Sequence, residues 1–425
     1  MDAFASGFDN WHVQPSRTWT PALSHQRGLF CVKCSVAASA LQNWRMKLSG
    51  TEQRLFMGPA KDNRELSMSD PSSTILTTKE ILQLHEDLEI KFGDGDGGDF
   101  LFGWQSLNPF AESLLAAVKR LAEGTDYTKY SYMESDEVLA QEVIDLHSTI
   151  DGVTPKAAFC AASGGTSILF AFSYWLARND IKEVYYLPPI YFMLLNGLRQ
   201  FGIHARALSG YHPFENEFRL RLPDKKTVLI LADPIWYAGI QVPEEILKQV
   251  SAWQEMTGSL VLVDGSFQYM RWDHQIYEPT AKFDPLNTIR LISPTKSLVI
   301  HGYRFAYVLL PESIKPRFSN CYSNITGSSP SDCVAFAYEA VRAVRDQKLT
   351  GQLIARAASR HAKLRSARRI ESTLQPQTGY FVFEKVNVPM PEGTVRMDGR
   401  YFGQPRFPQH ARINLLSTKY HLLET

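Results

Sequence analysis

Thr288-Ile-Arg-Leu-Ile292, followed by Ser293-Pro-Thr-Lys296-Ser-Leu-Val-Ile-His-Gly302-Tyr-Arg304, decides how this chain reads. The first five residues have strand length, are rich in branched apolar side chains and stop at a Ser-Pro turn signal, so they read as a buried strand. Upstream, a second apolar run ends in an acid, Leu260-Val-Leu-Val-Asp264. Working outward, runs at 157–162, 183–187, 227–232, 259–263, 288–292 and 303–310 alternate with helical stretches. That alternation predicts an α/β domain with a mostly parallel sheet. Ligands of such sheets sit at the carboxyl ends of the strands. Ser163, Asp233, Asp264 and Ser293 all fall at those ends, with Lys296 three residues beyond.

A lysine amine forms a Schiff base with an aldehyde. An aspartate beside a pyridinium nitrogen keeps it protonated, so that the ring acts as an electron sink. Arg304 suits a phosphate through two charge-assisted bonds. These three residue types make the set that a pyridoxal phosphate enzyme needs. On its own, Ser-x-x-Lys reads as a solvated loop lysine or suggests the serine nucleophile of penicillin-binding proteins. With Gly302, Arg304 and Asp264 in register, the segment resembles the lysine signature of fold-type I aminotransferases of classes I and II. The resemblance covers roughly residues 90–425. It implies a three-layer large domain with a mostly parallel sheet, and a smaller α+β C-terminal domain. It also implies pyridoxal 5'-phosphate linked to Lys296, with the pyridine nitrogen on Asp264 and the phosphate on Ser293 and Arg304.

Other positions follow from the same resemblance. Ser163-Gly164-Gly165-Thr166 lies between a strand and a long apolar helix, Ile168–Ala177. Small residues there let backbone amides close around an anion at a helix start, and the family binds the cofactor phosphate at this turn. Tyr191, after Pro188-Pro189-Ile190, stands where the family stacks an aromatic on the pyridine ring. Asp233-Pro234-Ile235-Trp236-Tyr237-Ala238-Gly239 replaces the family's Asn-Pro-x-Asn-Pro-Thr-Gly: Pro234 and Gly239 remain, and Asp233 counts among the expected cofactor contacts. Trp236 takes the place of the asparagine that donates to the cofactor's ring oxygen, and is expected beside the substrate. Phe267 stands where a second donor, a tyrosine, is common; Tyr237 and Tyr269 are the candidates to replace it. Arg412, in Ala-Arg-Ile-Asn, resembles the arginine that clamps the substrate carboxylate, a task suited to a planar guanidinium. Tyr130 is the best of Tyr127, Tyr130 and Tyr132 for a tyrosine reaching a partner's phosphate site, although the glycine usual before the next helix is Ser135 here. His212, His274 and His301 are further pocket candidates.

The chain has 425 residues and a formal charge of +1, which points to neither nucleic acid nor an acidic partner, and no apolar run reaches membrane-spanning length. Five scattered cysteines suggest a reducing compartment. Cys160, Cys321 and Cys333 read as core residues, and Cys31 with Cys34 as a chance spacing without a second pair. The expected location is cytoplasmic. The acid-free stretch between Asp9 and Glu52 also fits an organellar transit segment, against which Asp2 and Asp9 argue, or a partly disordered extension. Asp94 and Asp96 in Gly93-Asp-Gly-Asp-Gly-Gly-Asp99 suggest a calcium loop, but Gly98 and Gln105 break its register.

The expected organisation is an N-terminal extension over 1–87, polar and irregular across 51–87, then a cofactor-binding domain over 88–325 and a small domain over 326–425. Helices are expected over Phe110–Ala122, Ser135–His147 and Ser331–Leu374, and strands near 379–384 and 411–416. The basic run His361–Arg369 reads as a solvated helix face. The resemblance implies a homodimer acting on an amino acid through an external aldimine and quinonoid, with the amino group passing to a 2-oxo acid. The altered Trp236 and Phe267 positions motivate the alternative: a cyclase, a lyase or β- or γ-replacement enzyme, or an oxidase on the same fold.

Overall fold

The structure, a computed structural model, describes residues 78–92, 106–209, 213–214, 219–372, 374–389, 397–403, 407, 409–418 and 420–423. The residues ahead of 78, including Cys31 and Cys34, lie outside that set, as do the 93–99 loop and His212.

The described chain opens with helices α1 (Thr78–Phe92), α2 (Glu112–Ala122) and α3 (Glu137–Ile150). Asp136 caps α3 by accepting the Leu139 N–H at 2.9 Å, satisfying one of the orphan donors of a helix start. There follow β1 (Ala157–Ala161), α4 (Gly165–Arg178), β2 (Glu183–Tyr186), α5 (Phe192–Gln200), β3 (His204–Ala207), β4 (Val228–Ala232), α6 (Glu244–Thr257) and β5 (Leu260–Asp264). The chain continues through β6 (Thr288–Ile292), the single turn α7 (Pro294–Ser297), β7 (Ala306–Leu310) and α8 (Lys315–Thr326). Then come α9 (Ser331–Asp346), α10 (Lys348–Ser366), β8 (Ile370–Glu371), β9 (Phe381–Val386) and β10 (His410–Asn414).

Seven strands form one sheet in the order β1-β7-β6-β5-β4-β2-β3. All run parallel except β7, which is antiparallel to both neighbours. Alternate residues of each strand feed different cores: Leu229, Leu231, Val261 and Val263 one, Val228, Ile230, Leu262 and Leu291 the other. Helices cover both faces, with Ile168, Leu194 and Phe318 on one side and Val143, Ile246 and Val341 on the other. A sheet buried on both faces explains why its strands read as unbroken apolar runs. The second sheet is antiparallel, β10-β9-β8, with Arg412 opposite Phe383.

The six expected strands are all present, and Cys160, Cys321 and Cys333 are buried free thiols. Three readings need correction. The irregular reading of 51–87 misses α1, which turns Leu82 and His85 inward one turn apart against α5 and the Gly399–Phe402 turn. The helical stretch over Ser331–Leu374 is two helices, divided at Gln347, whose φ of 55° caps α9, and it gives way to β8 before its expected end. Edge strand β3 escapes a search for apolar runs because it is exposed and carries polar residues. Among the described residues no helix is long and apolar enough to cross a membrane.

Candidate active site

The parallel strands bring the ends of β1, β4, β5 and β6 to one edge of the sheet. Strand β7 runs the other way, so its beginning arrives at that same edge: Ala306 pairs with Ala161, and Tyr307 with Ile292. Arg304 is thereby returned to the Ser163–Gly165 turn. Gly164 there has φ 79°, and a Cβ on it would lie 2.6 Å from Arg304 Nη2. A Cβ on Gly165 would lie 3.1 Å from Ser293 Oγ. The glycines leave the space that lets a serine and an arginine close on this turn. The Ser163 hydroxyl pairs with the Tyr322 phenol, and Thr166 hydrogen-bonds Tyr191. Ser163, Gly164, Gly165, Thr166, Ser293 and Arg304 therefore make one polar cup at the start of α4, where the helix dipole adds to the arginine charge.

Lys296 sits on α7, its amide bonded to the Ser293 carbonyl at 2.8 Å. Burial lowers its amine to about 7, helped by the fields of Arg304 and Arg412 and opposed by Asp264. Asp264, at the end of β5, is buried, and its Oδ1 accepts the Ser266 hydroxyl at 2.6 Å and the Ser266 amide at 3.2 Å. Burial raises its carboxyl, and the Ser266 bonds and the Lys296 field offset that only in part. Tyr191 packs edge-on against Trp236, centroids 6.1 Å apart, within the fields of Asp264, Arg304 and Arg412.

The far end is aromatic. Lys296 Nζ stands 5.9 Å from the Phe267 ring, and Phe267 stacks on Trp236 at 6.4 Å. Arg412, 1% exposed, lies 5.6 Å from the Trp236 ring and 5.0 Å from Phe381, distances at which a guanidinium is attracted to a ring face. The tyrosines suggested in place of the missing donors are engaged elsewhere. Tyr269 turns its hydroxyl to Arg290 at 2.7 Å, Asp151 at 2.9 Å and His147 at 3.1 Å. Tyr237 stacks on Phe402 at 4.0 Å.

Two expected positions do not join this set. Asp233 Oδ1 accepts the Val242 amide at 3.0 Å, and its carbonyl takes Gln268 Nε2 at 3.1 Å. Burial holds its carboxyl up near 6, and burial together with the Asp233 charge raises Glu278 to about 8. It is spent on closing the loop that presents Trp236. Tyr130 is 81% exposed beside Tyr127 and Tyr132, which are also exposed. His274 is at a surface turn, whereas His301 has both ring nitrogens buried without a hydrogen bond, within the fields of Lys296 and Arg304. Sequence reasoning missed Ser266, Tyr322 and Phe381. Ser266 was findable, because an aspartate two residues before a serine is a common self-capping turn; the other two come from distant elements with no motif.

The cup, the amine and the acid test whether this site fits a phosphate-bearing pyridine aldehyde. An anion fits the glycine cradle beside Arg304, an aldehyde needs an amine that is neutral near physiological pH, and a protonated ring nitrogen supplies the charge that buried Asp264 lacks. The residues fit. Residues 96–420 match the family described as aminotransferase class I and II, and the chain belongs to that family.

Its relatives are distant. An aspartate aminotransferase of Pyrococcus horikoshii is 20% identical over 245 residues, which are 56% of this chain. The chain spans 62% of the length of that relative. Among solved structures, a double mutant of Thermus thermophilus aspartate aminotransferase is 18% identical, with a TM-score of 0.61 over 85% of this chain and 97% of that one. N-succinyldiaminopimelate aminotransferase from Mycobacterium tuberculosis is 14% identical, with a TM-score of 0.60 over 82% of this chain and 94% of that one. At such identities these structures share the fold.

Proposed function

We propose that this chain binds pyridoxal phosphate at Lys296 and moves an amino group between an amino acid and a 2-oxo acid. The observation that carries the reading is a half-buried lysine whose amine, lowered to about 7, lies within the fields of Arg304, Arg412 and Asp264. Arg304, Ser163, Thr166, Ser293 and the amides of Gly164 and Gly165 would hold the phosphate, Tyr191 the ring face and Asp264 the ring nitrogen. Asp233 is left out of this set. When bound, the cofactor supplies an electron sink for the pair released when a Cα–H bond breaks.

Lys296 is the group that carries the proton. Near its own midpoint a lysine is part amine and part ammonium, the condition under which one side chain serves as both base and acid. Arg412, set between two rings and shielded from water, would bind the substrate carboxylate and orient Cα toward Lys296 Nζ. The aromatic wall excludes water from the path of that proton. In this reading residues 88–325 carry the cofactor, and the segment from 326 to the C-terminus contributes Arg412. The exposed Tyr127, Tyr130 and Tyr132 support a homodimer in which Tyr130 meets a second copy of the chain.

One observation favours a second reading, cyclisation, elimination or replacement, or oxidation with the same cofactor. Trp236 and Phe267 stand where the family's ring-oxygen donors would, with Tyr237 and Tyr269 engaged elsewhere. The test is direct. The cofactor-loaded protein is reduced with borohydride and mapped by mass spectrometry, then incubated with single amino acids, with and without a 2-oxo acid. A label on Lys296 and an amino product that requires the 2-oxo acid support transfer. Product without the 2-oxo acid supports the second reading, and no label on Lys296 defeats both.

A further inference from the structure

Trp236 is the hub of the far end of the site. Phe267 stacks on it at 6.4 Å, and Phe402, Tyr191 and Phe381 meet it edge-on at 5.7, 6.1 and 6.4 Å. Arg412 sets its guanidinium against Trp236 and Phe381. We infer that this end is built for an amino acid with a single carboxylate and an aromatic side chain; the inference rests on the amino-acid reading of the site.

Charge makes the first half of the argument. Among the described residues, the cations whose fields reach Lys296 are Arg304 and Arg412. Arg304 closes the glycine cup, and Arg412 stands at the aromatic end, where a substrate carboxylate would lie. Of the described residues, the nearby histidines His85 and His301 add no positive charge. Burial lowers His85 to about 4 and His301 to about 3, so both are neutral near pH 7. A second carboxylate on the ligand would be buried against ring faces, whose quadrupoles are negative. An unpaired buried charge is among the most costly groups a site can hold, so such a site rejects diacids.

Shape and polarity make the second half. The rings of the wall meet one another stacked and edge-on, and a substrate ring added to that cluster would gain attraction beyond its buried area. Three of its rings, Phe267, Phe381 and Phe402, bring no hydrogen-bonding group, so that part of the wall does not reward a polar side chain. A straight aliphatic side chain gains the burial but not the ring contacts, and ranks between an aromatic and an acid.

Calorimetric titration of the purified, cofactor-loaded protein with three unreactive carboxylates tests this. Hydrocinnamate, hexanoate and succinate lack an amino group and cannot turn over. Hydrocinnamate should bind at least about tenfold more tightly than succinate, with hexanoate between them. Trp236→Leu should reduce the hydrocinnamate advantage to a few-fold, and Arg412→Lys should weaken hydrocinnamate and hexanoate alike. Succinate binding as tightly as hydrocinnamate overturns the inference, and so does failure of all three to bind. The wild-type ranking decides the matter even where a variant does not fold. If borohydride leaves no label on Lys296 but hydrocinnamate still wins, the transfer reading falls and the ligand class stands. If Lys296 is labelled but succinate is preferred, the ligand class falls and the transfer reading stands.

Discussion

The two ends of the Lys296 site are built in opposite ways. At the end read as the phosphate site, donors crowd around a glycine turn: a Cβ on Gly164 would meet Arg304, and one on Gly165 would meet Ser293. At the aromatic end, Trp236, Phe267, Phe381 and Phe402 meet through ring contacts, and the charge there, Arg412, is held against ring faces. The first arrangement suits a ligand part of constant charge, because fixed dipoles stabilise it with no reorganisation. The second presents mainly ring faces, so in the proposed reading it discriminates by burial and shape. In the proposed reading, binding the cofactor and choosing the reaction fall to different chemistries within one cleft.

The variant with the largest expected effect breaks the link between the ends. Lys296→Ala removes both the linkage and the proton carrier, so turnover should fall by about 10^4-fold, the upper range for a lost acid–base group. The measurement is amino-acid-dependent product formation together with borohydride labelling. A variant still labelled at this site would mean that another amine does the work.

Arg304→Gln probes the phosphate end alone. Losing charge-assisted bonds to a phosphate should weaken cofactor binding by roughly tenfold to a hundredfold. The ranking of hydrocinnamate over succinate should survive, because that ranking is set at the other end. Equilibrium dialysis gives the first quantity and calorimetry the second. If the ligand ranking changed with cofactor affinity, the two ends would not be separable.

The lysine itself should respond to pH as a group sensed from both sides. Its midpoint is about 7 rather than the ordinary 10.5, so it is neutral above about pH 7. Capture of pyridoxal phosphate by the apo-protein should accelerate as pH rises through about 7 and then level off. An ordinary lysine would keep accelerating to much higher pH. The sign for stability agrees: between these midpoints the unfolded chain holds a proton that the folded chain has lost, so this lysine adds stability as pH rises. Arg304 is the larger of the two arginine influences. Arg304→Gln should therefore raise the midpoint more than Arg412→Gln does, and Asp264→Asn should lower it. Stopped-flow absorbance across the pH range checks all three.

The same contrast explains which features the sequence makes legible. Strands buried on both faces leave continuous apolar runs, so β4, β5 and β6 were visible, and the polar residues at their ends followed. Ser163, Asp264, Ser293, Lys296 and Arg304 were legible because each sits at a fixed offset from a strand. Asp233 shares that offset, yet its carboxylate turns to the Val242 amide. Position at a strand end places a Cα, and only packing decides where the side chain points. The aromatic end was barely legible: Phe381 and Phe402 come from the segment after α10, and Trp236 registered mainly as a lost asparagine. The diversion of Tyr269 was also hidden, because its partners come from two distant elements, His147 and Asp151 from the C-terminal end of α3 and Arg290 from β6.

The smallest expected effect is the sharpest test of the aromatic end. Phe267 is the ring beside Lys296 Nζ, at 5.9 Å, and its position is one where the family often carries a tyrosine. With Phe267 and Trp236 in place of both donors, the cofactor–lysine linkage should hold its proton to higher pH than in a relative that keeps them. Phe267→Tyr adds a phenol to the edge of that ring. The residue is buried, and the nearest atom a Cβ on Gly379 would meet is Phe267 Cδ1 at 3.6 Å, so the substitution adds one oxygen to a packed wall. If that hydroxyl reaches the cofactor's ring oxygen, it stabilises the deprotonated linkage and lowers its midpoint by about one pH unit, the scale of a single hydrogen bond to a charged form. Spectrophotometric titration of wild type and variant reads the shift directly. Trp236→Asn should act in the same direction and should also loosen Arg412, so its titration should shift while its carboxylate affinity falls. A Phe267→Tyr midpoint equal to wild type would mean that the ring does not face that oxygen, and the contrast between a donor-built end and an aromatic end would reduce to Trp236 alone.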